Sequence, residues 1–166
     1  MEENTIDWLD MSQWPEGPWK SEPNVDVFKY RGYDCIINRS NVGALCGYVR
    51  VPKNSKFIDE KLYSRLDVHG GITYTEKDED GDFWIGFDCS HHDDIIPIHG
   101  LYEEHMSDQL KHEKQLIKSM VGDPLRINKT YKDFDFVTNE IMNIVDQMMK
   151  KKRIITKMTH RRNING

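Results

Sequence analysis

The sequence has little cysteine, no long apolar run and, beyond Asp146, no acidic residue. Each shortage excludes something. Three cysteines, Cys35, Cys46 and Cys89, are too few and too odd in number for a disulfide framework, and they point to a reducing compartment. No window approaches the roughly 18 apolar residues that a membrane-crossing helix needs. The opening residues, MEENTIDWLD, are acidic and hold no apolar stretch of a secretory signal, so a cytoplasmic protein is expected. There is no P-loop, no G-x-G-x-x-G and no G-x-S-x-G, which removes those nucleotide-binding and hydrolase families.

What is present fits one domain. The chain has 166 residues, 37% of them apolar and 31% charged, with a net charge of −5. Mixed-sign charge of this kind does not drive a chain apart, and four Trp, seven Tyr and six Phe can seed a core. Seven basic residues lie between Lys150 and Arg162, so removing them from the net −5 leaves −12 on residues 1–149. An acidic body repels a nucleic-acid backbone, which leaves the basic tail as the part able to touch nucleic acid, an anionic membrane or an acidic partner. A solvated extension is the plainer reading of that tail.

Residues 1–24 hold Trp8, Trp14 and Trp19 among Pro15, Gly17, Pro18 and Pro23, and read as an ordered coil whose indoles pack on the body. Val25–Tyr30 and Tyr33–Asn38 flank Arg31-Gly32, a hairpin signal although Arg is not ideal at its first position. Cys46–Val51, Leu66–Thr75 and Phe83–Cys89 read as strands, the last two separated by the acidic run 76–82. Helical spacing follows over 101–121 and over 133–150, where Phe134, Val137, Ile141, Ile144 and Met148 form a stripe. The expected fold is therefore a single α+β domain over 1–153: coil 1–24, strands within 25–98, an antiparallel sheet, two helices packed on one face, and a basic tail at 154–166.

Chemistry-bearing residues concentrate in 67–94. If the two strands pair so that Thr75 faces Phe83, His69 lies opposite roughly Cys89 and close to Asp88 and His91. Asp67, His69 and Gly71 then share one face, and Trp84, Gly86 and Asp88 share another. Gly70, Gly71 and Gly86 are poor strand residues and suggest that a backbone or ligand approaches closely. Several readings are open. Asp88, His91 and Asp94 could hold a divalent metal such as Zn, Mn or Mg, and the three cysteines with a histidine could hold a structural zinc, although the spacing matches no strict signature. His69 and His91, supported by Asp88 and Asp67, could act as general base and acid on a phosphodiester. Tyr74 and Trp84 could stack on a flat ring while Asp67, Gly70, Gly71, Ser90 and Asp94 contact the rest of a ligand. In the bland alternative Asp88 and Asp94 cap turns and His69 is bonded inside the sheet.

The blocks Gly17-Pro18-Trp19, Glu22-Pro23, Leu45-Cys46-Gly47-Tyr48-Val49, Val51-Pro52, Val68-His69-Gly70-Gly71-Ile72-Thr73-Tyr74 and Trp84-Ile85-Gly86-Phe87-Asp88-Cys89-Ser90-His91 resemble a family of small proteins encoded by bacteriophages and prophages. The resemblance covers roughly residues 14–97, and Tyr131–Met148 is similar to that family's closing helix. It implies an accessory protein acting in the cytoplasm of an infected host cell and assigns no activity. His92 and the segment 99–122 depart from the pattern, which sets His92 and His99 apart from His69 and His91. The expected function is binding of a small phosphate-containing ligand such as a nucleotide signal of host defence, with hydrolysis and sequestration both open and His69, Asp88 and His91 the catalytic candidates. The alternative is a non-enzymatic inhibitor that binds a host protein through its acidic surface. Self-association fits either.

Overall fold

The alternation of Tyr33–Arg39 and Leu45–Val51 sorts apolar side chains to one side of a sheet, and a long amphipathic helix covers that side. The structure is a computed structural model that describes residues 10–99, 107–121 and 129–164, with side chains along the last helix given up to residue 150. Five antiparallel strands are arranged in the order β1-β2-β3-β5-β4: β1 Val25–Tyr30, β2 Tyr33–Arg39, β3 Leu45–Val51, β4 Tyr74–Lys77 and β5 Phe83–Asp88. The fold is α+β. Trp8 and residues 101–106 of the helix expected over 101–121 lie outside the described residues. Among the described residues no helix is long and apolar enough to cross a membrane.

The β1–β2 hairpin closes at Arg31-Gly32, with Tyr30 opposite Tyr33. Both turn residues take positive φ, 48° and 84°, as a type I′ turn requires, so Arg31 accepts a conformation better suited to Asn or Gly. The helix Phe134–Ile164 begins at Asp133, whose Oδ1 accepts the Phe136 N–H at 2.8 Å as an N-cap. Its residues Val137, Ile141, Ile144, Val145 and Met148 are fully buried with Cys35, Ile37, Leu45, Val49, Val51, Ile85 and Phe87 of the sheet. Each such side chain contributes about 1.5–3 kcal/mol when removed from water. The second expected helix forms over Asp108–Val121, where Leu116 and Met120 are exposed.

Trp14 and Trp19 are buried together beside Met11, Ile98 and Tyr131. Arg39 ties this coil to the sheet and to the entry of the long helix. It is fully buried, and its guanidinium donates to Asn24, the Gly43 carbonyl, Tyr131, Glu22 and the Pro23 carbonyl. A buried charge is tolerated when every donor is used in this way.

Leu66–Thr75 is not one strand, contrary to the sequence reading. Only Tyr74–Lys77 joins the sheet. Residues 67–69 bond instead to side chains of the long helix, and Gly70 and Gly71 follow with φ of 67° and 80°, which ends any extended run. The register also differs: Thr75 faces Ile85, and Lys77 faces Phe83. A slip of two residues keeps the paired side chains of Tyr74–Lys77 and Phe83–Asp88 on their expected faces, so Trp84, Gly86 and Asp88 do share the face away from the long helix, whereas Asp67, His69 and Gly71 lie outside the sheet and share no strand face.

Candidate functional site

The long helix positions His69 through its polar edge. Glu140, Asn143 and Gln147 recur at spacings of three and four, which places them along one line of the helix. Glu140 Oε2 accepts the His69 N–H at 2.6 Å. Asn143 and Gln147 donate to the Asp67 carbonyl at 2.9 and 2.7 Å, and Gln147 accepts the Asp67 N–H at 2.9 Å. Three helix side chains thus supply the backbone partners that a neighbouring strand would otherwise give.

The His69 ring turns to Asp94. Its Nε2 lies 2.8 Å from Asp94 Oδ2, and its ring meets Phe136 edge-on at 5.3 Å. The Asp94 side chain is completely buried. The same Oδ2 accepts the His91 N–H at 2.9 Å, while the Asp94 N–H returns to the His91 carbonyl at 3.0 Å. Lys132 Nζ lies 3.5 Å from the other oxygen, Oδ1, which has no hydrogen-bond partner among the described residues. A buried carboxylate needs such company, because an uncompensated charge there is costly.

His91 stands against His69, with ring centroids 5.2 Å apart. A Cβ added at Gly70 would overlap the His91 Nε2, so the missing side chain of Gly70 makes room for this ring rather than for a ligand. That nitrogen is buried, has no hydrogen-bond partner among the described residues and lies 4.0 Å from Asp88 Oδ1. Asp88 accepts from Thr73 Oγ1 at 2.8 Å and from the Ser90 N–H at 3.0 Å, and from the Ser90 hydroxyl as well. Burial pushes the Asp88 carboxyl up, but these hydrogen bonds and His91 outweigh it and hold the group below the ordinary carboxylate range. The side chains remain accessible at the rim: His69 is 15% exposed, His91 and Asp88 30% each.

The structure therefore brings His69, His91, Asp88, Asp94, Gly70 and Ser90 together and leaves other named residues elsewhere. His69 pairs with Asp94 and not with Asp67, which contributes its backbone. Among the described residues no atom lies within 4 Å of where a Cβ on Gly71 would sit. Tyr74 packs edge-on against Tyr48 at 5.0 Å, over Gly86, on the open sheet face. Trp84 lies nearer the 78–82 connection and donates to Asp78 at 2.9 Å, four residues along β5 from Asp88. Gly86 has its free side filled by the Tyr48 ring.

Lys132 and Glu140 were not legible as site residues. The polar line 140–143–147 beside the apolar stripe was the available signal for Glu140; Lys132 had none. Among the described residues no group of three or more His, Cys, Asp or Glu is placed to hold a metal ion, the set Asp88, His91 and Asp94 included. Asp94 Oδ2 is already shared by His69 and His91, and His91 Nε2 abuts Gly70. The cysteines are free thiols; burial pushes Cys35 up to about 11 and raises Cys46 and Cys89 as well.

Two imidazoles in contact, each facing a carboxylate, can take up and release protons on one bound molecule, and a lysine beside them can offset negative charge. The chain matches no family model, no curated protein and no solved structure.

Proposed function

We propose that this end of the sheet is an acid–base site for a small phosphate-containing ligand, a nucleotide in the first instance, and that it hydrolyses a phosphodiester. The observation that carries the reading is the paired arrangement: His69 on Asp94 at 2.8 Å, His91 near Asp88 at 4.0 Å, and the two rings 5.2 Å apart. With Nε2 of His69 donating to Asp94, its Nδ1 carries the lone pair. In both rings Nε2 faces the protein, and this reading assigns Nδ1 to the ligand. One imidazole takes a proton from water as its oxygen bonds to phosphorus; the other gives a proton to the leaving oxygen as that P–O bond breaks. Lys132 offsets charge on the phosphoryl oxygens.

The resemblance to phage-encoded proteins suggests where such a ligand would come from: a signal nucleotide of host defence, met in the host cytoplasm. The test is incubation of the protein with cyclic and linear nucleotides, with and without EDTA, followed by chromatography of the nucleotide. Turnover that survives EDTA is expected. Retention without turnover would reduce the site to a binder, and neither outcome on any nucleotide would favour an inhibitor acting through the acidic surface.

A further inference from the structure

The long helix is about twice as long as the sheet that supports it. Its 31 residues span about 46 Å, whereas a seven-residue strand spans about 23 Å. Among the described residues the last helix side chains packed on the core are Met148 and Met149, and Lys150 is exposed. From Lys150 to Ile164 the helix runs on for a further ~22 Å. This outer half carries Lys150, Lys151, Lys152, Arg153, Lys157, Arg161 and Arg162 and no acidic residue.

Like charges recur there at helical-neighbour spacing, as in Lys150–Arg153, Arg153–Lys157 and Lys157–Arg161. Such pairs destabilise an isolated helix, and the helix dipole favours cations only within its last turn. A polyanion relieves that repulsion. We propose that the outer half of the long helix is a binding arm for duplex DNA, contacting the phosphate backbone without reading sequence. A helix about 10–12 Å across enters the roughly 12 Å wide major groove of B-DNA, whereas the deep, narrow groove of duplex RNA does not admit it. Residues 1–149 carry −12 and would repel DNA. The arm removes that objection, because the helix runs on for ~22 Å past Lys150, more than the ~8 Å over which charge is felt at physiological salt. This site is independent of the histidine cluster.

The test is fluorescence anisotropy of a labelled 20-base-pair duplex with the full chain, repeated over a salt series. Binding at 50 mM salt is expected, with log affinity falling against log salt at a slope of about −4.5 to −6.3 if five to seven phosphates are neutralised. The variant Lys151→Gln/Lys152→Gln/Lys157→Gln/Arg161→Gln keeps residues suited to a helix, and circular dichroism verifies its fold. It should bind at least tenfold more weakly with a slope flatter by about 3–4. His69→Gln should bind as the parent does. No binding at 50 mM salt, an unchanged quadruple variant, or tighter binding to phosphatidylserine vesicles or single-stranded RNA than to the duplex would overturn the proposal.

Discussion

The His91 ring occupies the space that a side chain at Gly70 would fill, and Gly70 itself sits at φ 67°. Two penalties therefore meet in Gly70→Ala: a left-handed backbone, at about 1–2 kcal/mol, and overlap with the ring, at about 1–3 kcal/mol. The substitution should cost about 2–5 kcal/mol by urea denaturation. In a His91→Ala background the overlap vanishes and only the backbone share should remain. Equal costs in both backgrounds would mean that the ring does not rest on Gly70.

Asp94 and Asp67 separate by the same measurement. Asp94 is buried and receives two hydrogen bonds beside Lys132, so Asp94→Asn should cost about 2–4 kcal/mol. Asp67 is exposed and bonds through its backbone, so Asp67→Asn should stay within about 0.5 kcal/mol. A costly Asp67→Asn would restore Asp67 as the partner of His69.

Asp88 predicts a pH dependence. Its carboxyl is held below the ordinary range, so its ionised form stabilises the native state. That contribution is complete above about pH 4 and is lost as pH falls through the depressed value. Asp88→Asn should therefore destabilise the protein at pH 7 and make progressively less difference on acidification toward pH 2. A difference that grew on acidification would reverse the sign of the account.

The thiols predict slow chemistry. With Cys35 pushed up to about 11 and all three cysteines raised by burial, an aromatic disulfide reagent at pH 8 should label the native protein slowly. In denaturant all three should react at once. Rapid labelling of one native cysteine would identify a reactive thiol that burial does not protect.

Much of this fold was readable where one face decides it. The alternation of β2 and β3 and the stripe Val137–Ile141–Ile144–Met148 report burial directly, and the hairpin at Arg31-Gly32 follows from its glycine. The error lay at 66–73, where Leu66 and Val68 alternate like a strand but the backbone bonds to helix side chains. No local pattern distinguishes a strand partner from Glu140 and Gln147 some 70–80 residues away. The nearness of His69 to His91 was expected from strand pairing and arises by another route, the turn at Gly70 and Gly71. The pairing with Asp94 was hidden because Asp94 owes its place to the bridge with Thr130.

The claim that one ligand meets both histidines is tested most directly by proton NMR of the imidazole Cε1–H signals during titration with inorganic phosphate at fixed pH. Signals are assigned with His69→Gln, which retains a donor toward Asp94, and His91→Phe, which retains a flat ring over Gly70. The account predicts that the His69 and His91 signals move together and saturate at one phosphate concentration, while those of the exposed His92 and His112 do not. Movement of only one of the pair, or of neither up to tens of millimolar phosphate, would contradict it.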